Sequence, residues 1–172
     1  MKKTLRITGG FVVAIIVGAL SSGALVRGGF RAAAQPADQT QALKTEVNSF
    51  MDQYWQLFST GNIDQLVERI YHPSGQLSNQ GHSSIEQLKA RFPETRKTLL
   101  AGGYGRSNMP VRNICILSPT VAVVSGRGIR YLTDGKVMAE FGWTYTLIKG
   151  PAGWKMVSIY SHDSGKALTC GA

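Results

Sequence analysis

The pattern of hydrophobic and polar positions is helical in the first half of the folded part of the chain. From residue 40 to residue 60, apolar side chains recur at steps of three and four residues, which predicts a long helix with one broad apolar face. Similar patterns predict a short helix at 62–71 and a third helix at 83–101, which Pro93 kinks or splits. Asn62, and Ser83 or Ser84, are suited to cap these two helices.

The second half of the chain alternates apolar and polar residues, which predicts strands. Two runs between residues 111 and 133 are separated at Ser118, and longer runs follow at 137–149 and 154–163. Asp134-Gly135 is a strong signal for a hairpin turn, and strands joined by tight turns must be antiparallel neighbours. Helices followed by such a meander predict an α+β fold, with N-terminal helices packed on one face of a strongly curved antiparallel sheet.

The N-terminus has the layout of a bacterial export signal. Basic residues precede an uncharged apolar stretch at 9–26, and three alanines precede Gln35. This arrangement predicts a signal peptide over residues 1–34, cleaved before Gln35, and a periplasmic or secreted protein. The apolar stretch is long and is followed by two arginines, so an uncleaved anchor in the cytoplasmic membrane through residues 9–26 stays open as the alternative.

The chain is predicted to hold one folded domain and to have no nucleic-acid partner. Residues 35–41 form a polar linker, residues 42–165 the domain and residues 166–172 a C-terminal tail. The formal net charge is +9, but five of the nineteen basic residues lie in the first 34 positions, where there is no acid. The remainder carries a charge of +4, which is ordinary for a soluble domain and is not the mark of a polyanion-binding surface.

The two cysteines have two open interpretations. Cys115 lies in an apolar, strand-like run and Cys170 in the polar tail, so an oxidising compartment permits a disulfide that joins the tail to the sheet. The alternative is one buried and one exposed free thiol. We expect no metal site, because there is no CxxC pair and the three histidines lack ligand spacing, and no cofactor, because there is no phosphate-binding loop.

Three segments in order resemble the nuclear-transport-factor-2-like superfamily. They are "YWQLFSTGNIDQLVERIYHPSG", "NQGHSSIEQL" and "GWKMVSIYSHDSG", and the resemblance covers about residues 40–165. It includes the SnoaL-like, ketosteroid-isomerase-like and kinase-association-domain branches. The resemblance implies a cone-shaped fold with a central pocket, and a homodimer formed through the outer surfaces of the sheets. It does not imply one activity, since this fold hosts enzymes as well as binding domains.

The resemblance to the isomerase branch implies a role for Tyr54, but this chain lacks the catalytic base of that branch. Tyr54 matches a tyrosine that holds the oxyanion in that branch, although its place in the apolar stripe also fits simple packing. That branch carries its catalytic carboxylate in the region that here reads Ser78, Asn79 and Gln80. Uncharged side chains cannot take a proton from carbon near neutral pH, so the isomerase activity is not carried over. Whether the protein is an enzyme stays open.

The resemblance to the kinase-association branch implies a pocket arginine at Arg127. Alternation along its strand places Arg127 on an otherwise apolar face and Arg130 on the other, and a sheet-edge arginine in solvent is the alternative for Arg127. Asp163 is placed on the same face as Ser161 and can face Arg127 inside the cone, as a polar centre or as a structural salt bridge. His162 faces the opposite way, so His162 and Asp163 are not expected to form a dyad.

These residues lead to three candidate functions. The favoured one is an exported small-molecule-binding or accessory domain, with Tyr54, Arg127, Thr144, Ser161 and Asp163 as ligand-binding candidates and a small apolar or anionic ligand. The second is a SnoaL-like enzyme that acts on a small apolar substrate, with Tyr54 and Asp163 as catalytic candidates. The third is a structural dimerisation module. An aromatic stripe on the long strand discriminates between them: it favours ligand binding if it lies inside the cone and dimerisation if it lies outside. The stripe consists of Phe141, Trp143 and Tyr145.

Overall fold

The computed structural model describes residues 37–170. The predicted signal peptide or anchor, residues 1–34, lies outside the described residues, so its cleavage and its role as an anchor stay predictions. Within residues 37–170, no helix combines the length and the apolar character that crossing a membrane requires.

The first helix, α1, spans Ala37–Thr60. It begins three residues before the predicted start at Thr40, so residues 37–39 of the predicted polar linker belong to the helix. Asp38 lies in the first turn, where a carboxylate interacts favourably with the helix dipole. The helix ends before Gly61, whose φ of 75° is a conformation that glycine adopts without strain. One face of α1 is buried, through the residues Leu43, Val47, Phe50, Met51, Tyr54, Trp55 and Leu57.

Two shorter helices follow, with the predicted caps. Helix α2 spans Ile63–Ile70, and the side chain of Asn62 accepts a hydrogen bond from the Gln65 amide at 3.2 Å. Helix α3 spans Ile85–Ala101, and Ser84 forms a reciprocal capping box with Gln87. Pro93 lies within α3, which is not split there.

Six strands form a single sheet within residues 37–170. They are β1 Gln76–Ser78, β2 Gly81–Ser83, β3 Tyr104–Ser118, β4 Val121–Leu132, β5 Val137–Gly150 and β6 Gly153–His162. Their order in the sheet is β2-β1-β6-β5-β4-β3, and all neighbours are antiparallel except β1 and β6. The prediction of an α+β fold, with helices on one face of a curved, mostly antiparallel sheet, is confirmed.

The core lies between the helices and one face of the sheet, which we call the inner face. Inner-face residues of β4, β5 and β6 pack with the buried stripe of α1. The completely buried members of this set include Val47, Met51, Val124, Tyr145, Leu147 and Met156. Burial of this apolar surface is the main stabilising contribution and fixes the helices over the sheet.

The C-terminal tail lies on the opposite face of the sheet, which we call the outer face. The Leu168 amide donates to Ser125 Oγ at 2.8 Å, and Asn113 Nδ2 donates to the Leu168 carbonyl at 2.8 Å. A disulfide joins Cys170 to Cys115 on β3, with 5.4 Å between the Cα atoms. Of the two interpretations of the cysteines, the structure therefore has the bonded form, and the tail crosses strands β4 and β3.

Candidate functional site

A cavity of about 390 Å³ lies between the helices and the inner face of the sheet. Its apolar and aromatic wall comes from α1, α3, β5 and β6 and from the residue after α2. The members of this wall are Tyr54, Trp55, Phe58, Tyr71, Phe92, Trp143 and Ile159. A volume of this size, lined largely by rings, is in the usual range for a small-molecule site.

The aromatic stripe of β5 lies on the inner face. The ring centroids of Phe141 and Trp143 are 4.8 Å apart in a stacked arrangement, and those of Trp143 and Trp55 are 5.2 Å apart. The ring of Tyr145 meets that of Tyr54 edge-on at 5.7 Å. The stripe is therefore part of the wall and its support, and it does not form an exposed dimer face.

Glycine on β4 makes room for this stripe. A Cβ atom built on Gly128 would lie 2.5 Å from Cζ3 of Trp143, which is far inside van der Waals contact. Gly126 is the register partner of Trp143 on the neighbouring strand. Because Gly128 carries no side chain, the indole of Trp143 packs against this part of β4.

The next inner-face residue of β4 is Arg130, which lines the cavity. Its guanidinium carbon lies 4.5 Å from the ring centroid of Phe141 and 5.7 Å from that of Trp143. Its Nε is buried and has no hydrogen-bond partner among the described residues. Burial lowers the pKa of Arg130, but a guanidinium stays cationic throughout the neutral range. Arg91 of α3 is exposed and is the second arginine that lines the cavity.

The remaining lining of the cavity is polar and uncharged. These side chains are Gln76, Ser78, Asn79, Gln80, Thr95 and Ser161. Asn79 ties the β1–β2 turn to the end of β6, because its Oδ1 accepts from the Ser161 amide at 2.7 Å and its Nδ2 donates to the Ser161 carbonyl at 3.1 Å. No acidic side chain among the described residues lines the cavity. The region at 78–80, where the isomerase resemblance requires a base, thus borders the cavity without a carboxylate.

The tyrosines of the cavity remain protonated near neutral pH. Burial raises the pKa of Tyr54 to about 12, and it raises the pKa values of Tyr71 and Tyr145 well above their ordinary range. Such hydroxyls can donate hydrogen bonds to a ligand. They do not act as bases near pH 7, since a general base needs a pKa near the working pH.

Tyr54 is expected to make the fold sensitive to alkali. Its pKa is raised in the folded state, so its contribution to stability is complete below pH 10 and is lost as the pH rises toward about 12. We expect the free energy of unfolding to fall less steeply above pH 10 in Tyr54→Phe, which keeps the ring, than in the unchanged protein. Denaturant unfolding at a series of pH values measures both slopes, and equal slopes would contradict the assignment.

Arg127 does not line the cavity. Arg127 lies on the outer face, is exposed, and its Nη1 lies 3.6 Å from Oε2 of Glu140. The prediction that Arg127 lines the cavity is therefore wrong, and so is its pairing with Asp163. The alternation along β4 correctly predicts that Arg127 and Arg130 face opposite sides, but the face rich in valine is the outer one. The inner face lacks an apolar pattern around Gly126 and Gly128, and the spacing Gly-x-Gly-x-Arg is the sequence feature that could have indicated Arg130.

Thr144 and Asp163 also lie away from the cavity. Thr144 Oγ1 contacts Ser125 Oγ at 2.7 Å and His162 Nε2 at 3.0 Å, on the outer face. The Asp163 carboxylate is exposed and accepts from the Gly165 amide at 2.9 Å. These two predicted ligand contacts are wrong, and Asp163 has no position from which to act as a base in the cavity. Of the five predicted ligand-binding residues, the cavity brings together Tyr54 and Ser161.

His162 and Asp163 form no catalytic dyad through their side chains. His162 Nδ1 lies 2.7 Å from the backbone carbonyl of Asp163, which can only accept, so Nδ1 carries the proton. In the neutral ring, Nε2 then accepts from Thr144, and the hydrogen bonds continue through Ser125 to the tail. The histidine thus belongs to the network that holds the tail on the sheet.

The comparisons with known proteins agree with this architecture. The model of the family described as NTF2-like protein (DUF6841) matches residues 45–164. A structure of an NTF2-like protein with a cystatin-like fold from Novosphingobium aromaticivorans is 17% identical, with a TM-score of 0.58 over 73% of this chain and 85% of that chain. A comparison with curated proteins gave no match.

Two further solved structures are similar in fold. A putative calcium/calmodulin dependent protein kinase II association domain from Xanthomonas campestris is 22% identical, with a TM-score of 0.52 over 76% of this chain and 89% of that chain. A protein from Catenulispora acidiphila in complex with S-DNPA is 14% identical, with a TM-score of 0.57 over 70% of this chain and 92% of that chain. The family match spans most of the described residues, and this chain belongs to the NTF2-like protein (DUF6841) family.

Proposed function

We propose that the protein is an exported domain that binds a small molecule in the cavity between its helices and its sheet, without chemistry of its own. The observation that carries the proposal is the composition of the cavity wall. It offers aromatic surface, cationic and neutral hydrogen-bond donors, and no described side chain that titrates near neutral pH as an acid or base. Catalysis by proton transfer needs such a group, whereas binding does not.

A complex formed by a protein of similar fold supports the proposal. The structure from Catenulispora acidiphila is of a complex with S-DNPA, so one protein of similar fold is known with a bound partner. The sequence identity of 14% supports the fold alone, and the ligand of this chain is inferred from its own residues. The enzyme alternative is weaker here, since its proposed acid, Asp163, lies outside the cavity.

The homodimer and the export signal belong to the same proposal. The outer face exposes apolar side chains beside the tail, including Val111, Leu117 and Tyr160, which are 49%, 65% and 39% exposed. These side chains are what a dimer formed through the outer surface of the sheet would bury. The basic and apolar pattern of residues 1–34 supports export.

Native mass spectrometry of protein purified from its own cell envelope tests the proposal. We expect a chain that begins at Gln35, a dimer, and a retained small molecule. Ser161→Trp places a large side chain at the cavity and is expected to abolish the retained mass. Thr133→Trp is the control, because Thr133 is exposed in the turn after β4 and does not line the cavity. An empty protein, or a ligand that both variants retain equally, would contradict binding in this cavity.

A further inference from the structure

The hydrogen-bonding groups of the cavity wall are unbalanced toward donors. Trp55 is 3% exposed and lines the cavity, and its Nε1 has no acceptor among the described residues. The Nε of Arg130 is buried and unpaired in the same wall. The side chains of both residues lie against Trp143, so the two unpaired donors lie beneath one part of the cavity wall, while the terminal nitrogens of Arg130 are not among the buried unpaired atoms. A buried donor without a partner destabilises a protein unless a bound group satisfies it.

The positive charge of Arg130 at the cavity wall also has no counterion among residues 37–170. Arg130 forms no ion pair within residues 37–170, although Arg127 on the same strand does. A partly buried guanidinium without a counterion is unfavourable, and its contact with the rings of Phe141 and Trp143 supplies only part of the compensation. The second arginine, Arg91, adds positive potential without adding an acceptor.

We propose that the ligand is a small organic monocarboxylate, with its carboxylate on the guanidinium of Arg130 and its flat apolar body between the aromatic walls. This inference rests on the proposed function, that the cavity holds a small molecule. A planar guanidinium matches the two oxygens of a carboxylate, and charge-assisted hydrogen bonds are stronger than neutral ones. One inner arginine fits one negative charge, and the cavity of about 390 Å³ has room for a body of one or two rings.

Tyr54 and Tyr71 add no negative charge to the wall. Both residues line the cavity and stay protonated in the neutral range, so they do not repel an anion. Binding is therefore expected to be constant between about pH 6 and pH 9. It is expected to weaken only as the pH falls toward the pKa of the ligand carboxyl group, about 4.

The test compares 2-naphthoate with 2-naphthamide, which has nearly the same shape and no charge. Isothermal titration calorimetry of the purified full chain is expected to show the acid binding at least about tenfold more tightly than the amide. Arg130→Gln is expected to remove this preference and to change the affinity for the amide little. Arg130→Lys keeps the charge without the planar fork and is expected to give an intermediate affinity.

Arg127→Gln is the matched control, because Arg127 lies three residues from Arg130 on β4 but on the outer face. It is expected to leave both affinities unchanged, and thermal unfolding of each variant reports whether it is folded. Equal binding of acid and amide would overturn the carboxylate inference and leave the cavity function standing. Tighter binding of 2-naphthyl phosphate than of 2-naphthoate would also overturn it. If no probe binds, the inference fails, and the native mass spectrum decides separately whether the cavity holds a ligand of another class.

Discussion

Gly126→Ala is expected to lower the free energy of unfolding by about 3 kcal/mol. A Cβ atom at this position would overlap the carbonyl oxygen of Val111 on the neighbouring strand β3, and it would lie 3.2 Å from the Cα of Arg112. The obstacle is backbone, so no rotation of a side chain relieves it. Strand β3 is already irregular between Asn108 and Val111, and the close approach of the two strands there requires glycine.

Gly150→Ala provides the control for this substitution. Gly150 ends β5, and no atom lies within 4 Å of the position of its Cβ. We expect Gly150→Ala to change the stability by no more than about 0.5 kcal/mol. Denaturant unfolding of both variants, with the disulfide intact, measures the difference. A stability of Gly126→Ala within the same narrow range would show that β3 and β4 do not approach each other this closely.

Removal of the disulfide is expected to destabilise the protein by about 2–4 kcal/mol. The bond joins Cys115 and Cys170 across a sequence separation of 55 residues, and a loop of this length gives a stabilisation of about 4 kcal/mol in the chain-entropy treatment. The lower end of the range allows for release of the tail in the folded state, which offsets part of the loss. Unfolding of Cys115→Ala/Cys170→Ala, compared with the unchanged protein with and without a thiol reductant, measures the effect.

In the double cysteine variant, the behaviour of the tail separates the contribution of the disulfide from that of the tail's hydrogen bonds. Without the bond, two neutral hydrogen bonds of Leu168, to Ser125 and Asn113, still hold the tail, and each contributes about 1 kcal/mol. We therefore expect the Leu168 amide to lose protection from hydrogen exchange in the double variant, while the amides of β4 keep theirs. A reductant should have no effect on the double variant. An unchanged protein whose stability does not respond to the reductant would contradict a stabilising disulfide.

Local patterns in the sequence were sufficient for the helices, the turns and the fold class. The stripe around Met51 and the cap at Asn62 depend on residues a few positions apart, so they can be read without knowledge of distant contacts. The early start of α1 at Ala37 was missed because polar residues such as Asp38 are equally compatible with a linker and a solvated first turn. The absence of a carboxylate at Ser78, Asn79 and Gln80 was also visible in the sequence.

Local sequence patterns could not predict which side chains line the cavity. Alternation assigned Arg127 and Arg130 to opposite faces of β4, but it does not say which face the helices cover. Counting apolar residues favours the face with valines, whereas the covered face carries two glycines, of which Gly128 admits Trp143 and Gly126 admits the backbone of β3. The other face is apolar because the tail crosses part of it, through a contact between residues 43 positions apart in the chain.

The sequence by itself thus determined the order of helices and strands, the family resemblance and the lack of an isomerase base. Only the tertiary structure decided that Arg130 and Trp55 border a common cavity and that Asp163 does not. The physical reason is that a strand's pattern records which residues share a face, while burial of that face depends on α1, about 75 residues earlier in the chain. The same long-range packing leaves Arg130 at the inner wall without an ion-pair partner among residues 37–170, and on this the proposed ligand class depends.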